Sequence, residues 1–124
     1  MTELNMFPTL NLFPATKNYI KETLKNSAII KEPINVSEYF HRGVGKTTAL
    51  IEFAQERDLV AVVLHKTTAK YLREKFKYES IYAQSELHSL RGTGEDLKMA
   101  VYDEGVNPES FPKQLIVLTG FVVR

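Results

Sequence analysis

The residues best suited to chemistry lie together in one short segment near the middle of the chain. In order, they are His41, Arg42, Gly43, Val44, Gly45, Lys46, Thr47 and Thr48. Gly43 and Gly45 carry no side chain, so the backbone there can turn its N–H groups toward an anion. A helix predicted to begin at Thr47 adds the positive end of its dipole, and Lys46 adds a full positive charge. This segment predicts a loop that binds a phosphate chain, with the Thr47 hydroxyl placed to bind magnesium.

A second candidate site is the acidic pair Asp103 and Glu104, which follows the apolar stretch 99–102. If that stretch is a strand of a parallel sheet, its carboxyl end lies at the same edge as the phosphate loop. Asp103 can then hold magnesium through water, while Glu104 polarises an attacking water. An apolar run ending in two acids is common at strand ends, so this signal depends on the loop that precedes it.

The first segment resembles the Walker A motif of P-loop NTPases, and the acidic pair resembles their Walker B motif with an additional catalytic glutamate. Phe40 stands where the first glycine of the Walker A pattern is expected, so the strict pattern is not met. Thr119-Gly120, after an apolar stretch, is similar to the phosphate-sensing position of helicases and packaging motors. Leu90-Arg91-Gly92 is similar to a segment that precedes the acidic pair in phage terminase large subunits.

The resemblance implies an ATP-binding protein that hydrolyses ATP slowly or only when assembled, with ATP and Mg²⁺ as cofactors. It implies that Lys46 neutralises phosphate, that Thr47 and Asp103 hold magnesium, and that Glu104 orients water. It also implies that Thr119 reports the phosphate state and that an arginine completes the site, from its own chain or from a neighbouring subunit. The candidates are Arg42, Arg73, Arg91 and Arg124, and Arg91 is favoured because it lies shortly before the acidic strand. The residues expected to contact the nucleotide are Arg42, Gly43, Val44, Gly45, Lys46, Thr47 and Thr48. The expected partners are further copies of the chain or a larger viral motor. The expected location is the cytoplasm, which is the host's cytoplasm if a phage encodes the protein.

Two other functions fit the sequence. One is a non-catalytic interaction module built on a degenerate P-loop fold, which the residue at position 40 favours. The other is an accessory protein that binds nucleic acid, with DNA the expected partner. Its footprint would be a basic cluster on one predicted helix, formed mainly by Lys66, Lys70, Arg73 and Lys77.

Composition limits the choice of function. The chain has 124 residues, 44% of them hydrophobic, no cysteine and a net charge of +1. Thiolate zinc sites and cysteine nucleophiles are therefore excluded, and binding of nucleic acid by overall charge is disfavoured. His41, His65 and His88 share no spacing suited to a metal site. No apolar run reaches the roughly 20 residues that span a bilayer, and the N-terminus lacks the basic region of a signal peptide.

The elements that must position these residues follow from periodicity and from turn residues. We expect an irregular arm to Ala15, because Phe-Pro pairs interrupt it, and then a helix capped by Thr16 that ends near Asn26. Further helices are predicted at 47–57, 67–77 and 85–90, and strands at 34–40, 59–64, 99–102 and 115–118. Alternating strands and helices predict an α/β fold, in which a mainly parallel sheet is flanked by helices in three layers. We expect a single minimal or truncated domain, with an arm and helix at 1–33 and a P-loop NTPase-like core at 34–124. The candidates for stacking on adenine are Phe13, Tyr19 and Phe40.

Overall fold

The computed structural model describes residues 17–36, 45–90 and 97–123. Three α-helices occur in this part of the chain: α1 (Lys17–Ile30), α2 (Lys46–Arg57) and α3 (Lys66–Phe76). The strands are β1 (Ile34–Val36), β2 (Val60–Val63), β3 (Ile81–Ala83), β4 (Lys98–Tyr102) and β5 (Leu115–Val123). Two 3₁₀ helices, Gln84–Leu90 and Pro108–Ser110, lie before β4 and before β5.

All five strands form one parallel sheet in the order β1-β5-β4-β2-β3. β5 therefore lies between β1, which leads toward the glycine-rich segment, and β4, which leads into the acidic pair. These strands confirm the predicted α/β class and its parallel sheet.

The first face of the sheet is covered by the three α-helices, whose apolar stripes share one core. Ile20 and Leu24 of α1, Phe53 of α2 and Leu72 of α3 are all buried in it. They pack on strand residues that point to the same face, such as Val63. Since α1 shares this core with the sheet, it belongs to the same packed unit as the strands.

The second face is covered in the described residues by the 3₁₀ helices and the loops beside them. Leu87 and Val106 are buried there with Val62 and Tyr102, and Phe111 packs against the same cluster. The connections β1–β2 and β2–β3 run in one direction across the sheet, whereas β3–β4 and β4–β5 run back. Crossovers of one handedness must change face when their direction reverses, which agrees with the position of Leu87, Val106 and Phe111 on the face opposite the helices. A sheet covered on both faces is compatible with the predicted three layers. The helix predicted at 85–90 is the 3₁₀ helix Gln84–Leu90.

Some predicted boundaries were wrong. Helix α1 continues to Ile30 rather than ending near Asn26, and β3 was not predicted at all. β5 does not end at Leu118 but runs on through Thr119 and Gly120. A side chain at Gly120 would overlap the ring of Tyr102, so this glycine permits close packing inside a strand instead of forming a turn. The predicted arm, its Thr16 cap and the 37–40 part of the first strand lie outside the described residues.

Candidate functional site

The start of α2 is an N-terminus with little capping of its own. Gly45 precedes the helix with φ 84° and supplies no side-chain cap, and the first turn contains no acidic residue. The bond from the Ala49 N–H to the Gly45 carbonyl, 3.0 Å long, closes the first turn. The earlier N–H groups of a helix have no intrahelical acceptor, so this end attracts anions. A Cβ at position 45 would meet nothing within 4 Å, so the positive φ, and not a lack of space, favours glycine here.

The acidic pair lies at the carboxyl end of β4, where the sheet holds it firmly. The Asp103 N–H donates to the Val62 carbonyl at 2.9 Å, which continues the ladder between β2 and β4. The Glu104 N–H donates to Oδ1 of Asp103 at 2.9 Å. Asp103 is only 8% exposed, so its carboxylate is held in a nearly solvent-free position.

Two side-chain contacts join the start of α2 to the end of β4. The Thr47 hydroxyl donates to Oδ2 of Asp103 at 2.7 Å. Nζ of Lys46 lies 3.1 Å from Oε1 of Glu104, with the lysine side chain 9% exposed and the glutamate side chain 37% exposed. The structure thus brings together four residues that the sequence singled out from two separate segments.

Burial raises the pKa of the Asp103 carboxyl above its ordinary value. The hydrogen bonds from the Thr47 hydroxyl and the Glu104 N–H act in the opposite direction, and so does the charge of Lys46. Burial disfavours the charged form of a carboxylate, and a cation that binds beside the group stabilises that form again. Asp103 is therefore chemically suited to a divalent metal.

The donor set at this point fits magnesium better than a metal held entirely by protein. Within 17–36, 45–90 and 97–123 no group of three or more histidine or acidic side chains is arranged to hold a metal ion. Magnesium commonly takes one or two protein oxygens and completes its shell with phosphate oxygens and water. The Thr47 hydroxyl and the Asp103 carboxylate are oxygen ligands of that kind.

A cavity of about 450 Å³ opens beside this pair of contacts. It is lined by Thr47, Val63, Leu64, His65, Thr68, Asp103, Glu104 and Gly105. Sequence reasoning assigned neither His65 nor Thr68 to this site, and of His65 it concluded that its spacing does not suit a metal site. The signal was available, because β2 ends at the same edge of the parallel sheet as β4 and the residues after it must lie near the acids.

Thr119 is not brought to this cavity. It lies within β5, opposite Val101 of β4, and is 1% exposed. Its hydroxyl donates to the Glu32 carbonyl at 2.7 Å and lies 2.9 Å from Oγ of Ser27 on α1. Its surroundings are therefore those of a buried contact between a helix and the sheet, and its predicted role as phosphate sensor stays a prediction.

Several other predicted site residues cannot be placed. Phe13, Phe40, Arg42, Gly43, Val44, Arg91 and Arg124 lie outside the described residues. Thr48 is half-buried in the first turn of α2, next to Thr47. Tyr19 packs against the core from α1, and this contact accounts for its position without a nucleotide.

The basic cluster on α3 is partly used within the fold. Arg73 donates to the Ile81 carbonyl at 2.6 Å and lies 3.3 Å from Oε1 of Glu86, so it fastens α3 to β3 and the following 3₁₀ helix. Lys66 is exposed at the start of the helix. Lys70 and Lys77 line a second cavity of about 480 Å³ that they share with Arg73, Glu74 and Glu79. Acidic neighbours thus interrupt the positive surface that was predicted to bind DNA.

Comparisons of the chain with protein-family models, with curated proteins and with solved structures found no match. The helices in the described part of the chain include none with the length and apolar character needed to cross a membrane. The geometry of the site is therefore the basis for assigning a function.

Proposed function

We propose that this chain is a magnesium-dependent ATP-binding protein of the P-loop NTPase type, with slow or assembly-dependent ATPase activity. The observation that carries the proposal is the 2.7 Å contact between the Thr47 hydroxyl and the Asp103 carboxylate at the start of α2. It joins a hydroxyl that follows Gly-Lys to a buried acid that ends a neighbouring parallel strand. The sequence resemblance to packaging motors and helicases suggests the same class.

The residues around the start of α2 would bind the phosphates. The helix end and Lys46 supply positive potential, and the lysine is oriented by Glu104 at 3.1 Å. An ammonium group has three donors, so Lys46 can contact both Glu104 and a phosphate oxygen. Thr47 and Asp103 would hold magnesium, which when bound neutralises charge that develops on the phosphates.

Glu104 is the residue suited to orient water. Its side chain is 37% exposed and the residue lines the cavity, whereas the neighbouring Asp103 is nearly fully buried. A carboxylate in that position can accept a hydrogen bond from a water and align it with the terminal phosphate.

The strand order sets the lateral distance between the strand before the glycine-rich segment and the strand before the acidic pair. β5 lies between β1 and β4, so the ends of those two strands are separated by two inter-strand spacings, roughly 10 Å. Ligands of open α/β sheets bind beyond the carboxyl ends of the strands, at the edge where Asp103 lies.

Isothermal titration with magnesium and a non-hydrolysable ATP analogue tests the proposal. Replacing Lys46 with Ala removes a charge-assisted contact, so affinity should fall by about tenfold or more. Lys25→Ala is the matched control, since it removes the same charge from an exposed position on α1 and should leave affinity unchanged. If the parent chain does not bind, or if folded Lys46→Ala binds as tightly as the parent, the proposal is wrong.

Turnover distinguishes an enzyme from a non-catalytic module. Phosphate release that depends on magnesium, and that rises per chain with protein concentration, would support an ATPase that is active when assembled. Binding without phosphate release at any concentration would support the interaction module. An affinity for DNA that exceeds that for ATP, and that falls steeply with salt, would support the accessory protein.

A further inference from the structure

We infer that the connection between β2 and α3 forms the second wall of the nucleotide site, where the His65 imidazole donates a hydrogen bond to the terminal phosphate. This inference rests on the proposed function. It adds a phosphate-binding residue that lies outside both sequence motifs.

The two walls of the cavity are in contact at their base. Thr47, Asp103 and Glu104 form one wall, and His65 and Thr68 belong to the other. Leu64 packs against Gly105: a Cβ built on that glycine would lie 3.0 Å from Cδ2 of the leucine. This contact places the β2–α3 connection against the turn that carries Glu104.

The His65 side chain is not used by the fold. His65 precedes α3 with extended backbone, φ −112° and ψ 144°, and its side chain does not cap the helix. Its backbone carbonyl accepts the Ala69 N–H at 3.0 Å, but its imidazole has no hydrogen-bond or ion-pair partner among the described residues. His65 is exposed and lines the cavity.

Among the side chains that line this cavity, the donors left for a phosphate lie on the second wall, in the His65 imidazole and the Thr68 hydroxyl. Asp103 and Glu104 only accept hydrogen bonds when ionised, and the Thr47 hydroxyl already donates to Asp103. A neutral imidazole has one N–H donor in either tautomer. Since Thr47 and Asp103 would hold the metal and Glu104 the water, the group nearest His65 is the terminal phosphate and not the nucleoside.

The test compares a triphosphate with a diphosphate. Affinities are measured by titration with magnesium and a non-hydrolysable ATP analogue, and separately with magnesium and ADP. His65→Ala should lower the affinity for the analogue by about tenfold and change the affinity for ADP by less than about twofold. His65→Asn keeps an N–H donor and should recover part of the loss. Thr67→Ala, an exposed neighbour that does not line the cavity, should alter neither affinity.

Equal losses for both nucleotides would show that His65 only shapes the wall, and no loss would remove it from the site; either result overturns the inference. If Lys46→Ala loses affinity while His65→Ala does not, the inference fails and the proposed function stands. If the parent binds neither nucleotide, both fail. Thermal unfolding of each variant checks that it is folded, which we expect because the imidazole makes no contact that the helix needs.

Discussion

Two polar clusters interrupt the apolar interior of this protein, and they differ in what surrounds them. The edge cluster consists of Lys46, Thr47, Asp103 and Glu104, and it borders a cavity of about 450 Å³. The interior cluster consists of the Ser27 and Thr119 hydroxyls and the backbone carbonyl of Glu32. The edge cluster carries charges and borders a cavity, whereas the interior cluster is neutral and enclosed.

The difference separates groups that stabilise the fold from groups that can bind a ligand. In the interior cluster each hydroxyl has one proton: Thr119 donates to the Glu32 carbonyl, and Ser27 donates either to the Leu24 carbonyl at 3.2 Å or to Oγ1 of Thr119 at 2.9 Å. The contact between the two hydroxyls joins α1 to β5 in a neutral, enclosed position. In the edge cluster, burial raises the pKa of Asp103, which is unfavourable for the ionised fold unless a cation compensates. Buried charge beside a cavity therefore indicates a binding site, and buried hydroxyls alone do not.

The largest expected effect belongs to the edge cluster. Glu104→Gln keeps the shape of the side chain but cannot act as a base, so turnover should fall by about 10²–10⁴-fold while binding of the ATP analogue is kept. Phosphate release under saturating ATP measures the change. Glu109→Gln makes the same substitution at an exposed position outside the cavity and should leave turnover intact. Unchanged turnover in Glu104→Gln would take this glutamate out of the mechanism.

A smaller effect is expected in the interior cluster, and it should appear in stability. Thr119→Val preserves shape and removes the donor to the Glu32 carbonyl, which should lower the free energy of unfolding by about 1–3 kcal/mol. Denaturant unfolding measures this loss, and Thr119→Ser should retain most of the parent stability. Nucleotide affinity of the folded variant should match the parent. A variant of parent-like stability that has lost turnover would instead favour the phosphate-sensing role predicted from sequence.

The smallest expected effect is a gain in stability at the edge cluster. Because the pKa of Asp103 is raised in the fold, the folded state holds its proton more tightly, and stability falls as pH rises from 3.8 toward the folded value. Asp103→Asn has no such titration, so its unfolding temperature should exceed that of the parent near pH 7. The difference between the two chains should shrink as the pH is lowered through that window. A difference that is the same at every pH would show that burial does not disfavour the carboxylate.

The elements with strong local patterns could be predicted from sequence. The buried run at β2 and the apolar stripes of α2 and α3 placed those elements to within one residue at each end. β3 was missed because three residues carry little periodicity, and it forms by pairing with β2, as in Ala61 with Ile81. Thr119 and Gly120 were expected to follow the end of a strand predicted at 115–118, because the ring of Tyr102 that requires glycine at position 120 comes from another strand.

The candidate site could be predicted to a similar extent. Thr47 and Asp103 were linked by the general rule that parallel strands end at one edge, and the structure places them in contact. The same rule would bring Thr119 to that edge only if β5 ended at Thr119. β5 instead runs on to Val123. His65 carries no motif, so its position on the cavity wall depends on the packing of Leu64 against Gly105.

The position of β5 also sets the order in which the protein can assemble during synthesis. β1 has one hydrogen-bonded neighbour in the described sheet, and that neighbour is β5 near the C-terminal end of the chain. β2 can pair with β3 and with β4 as soon as these strands leave the ribosome, whereas β1 is made earlier and must wait for residues 121–123. Pairing across such a long stretch of chain is slow, because the loop must close before the contact forms. On the ribosome, the acidic strand can thus reach its place in the sheet before the strand that leads toward the phosphate loop.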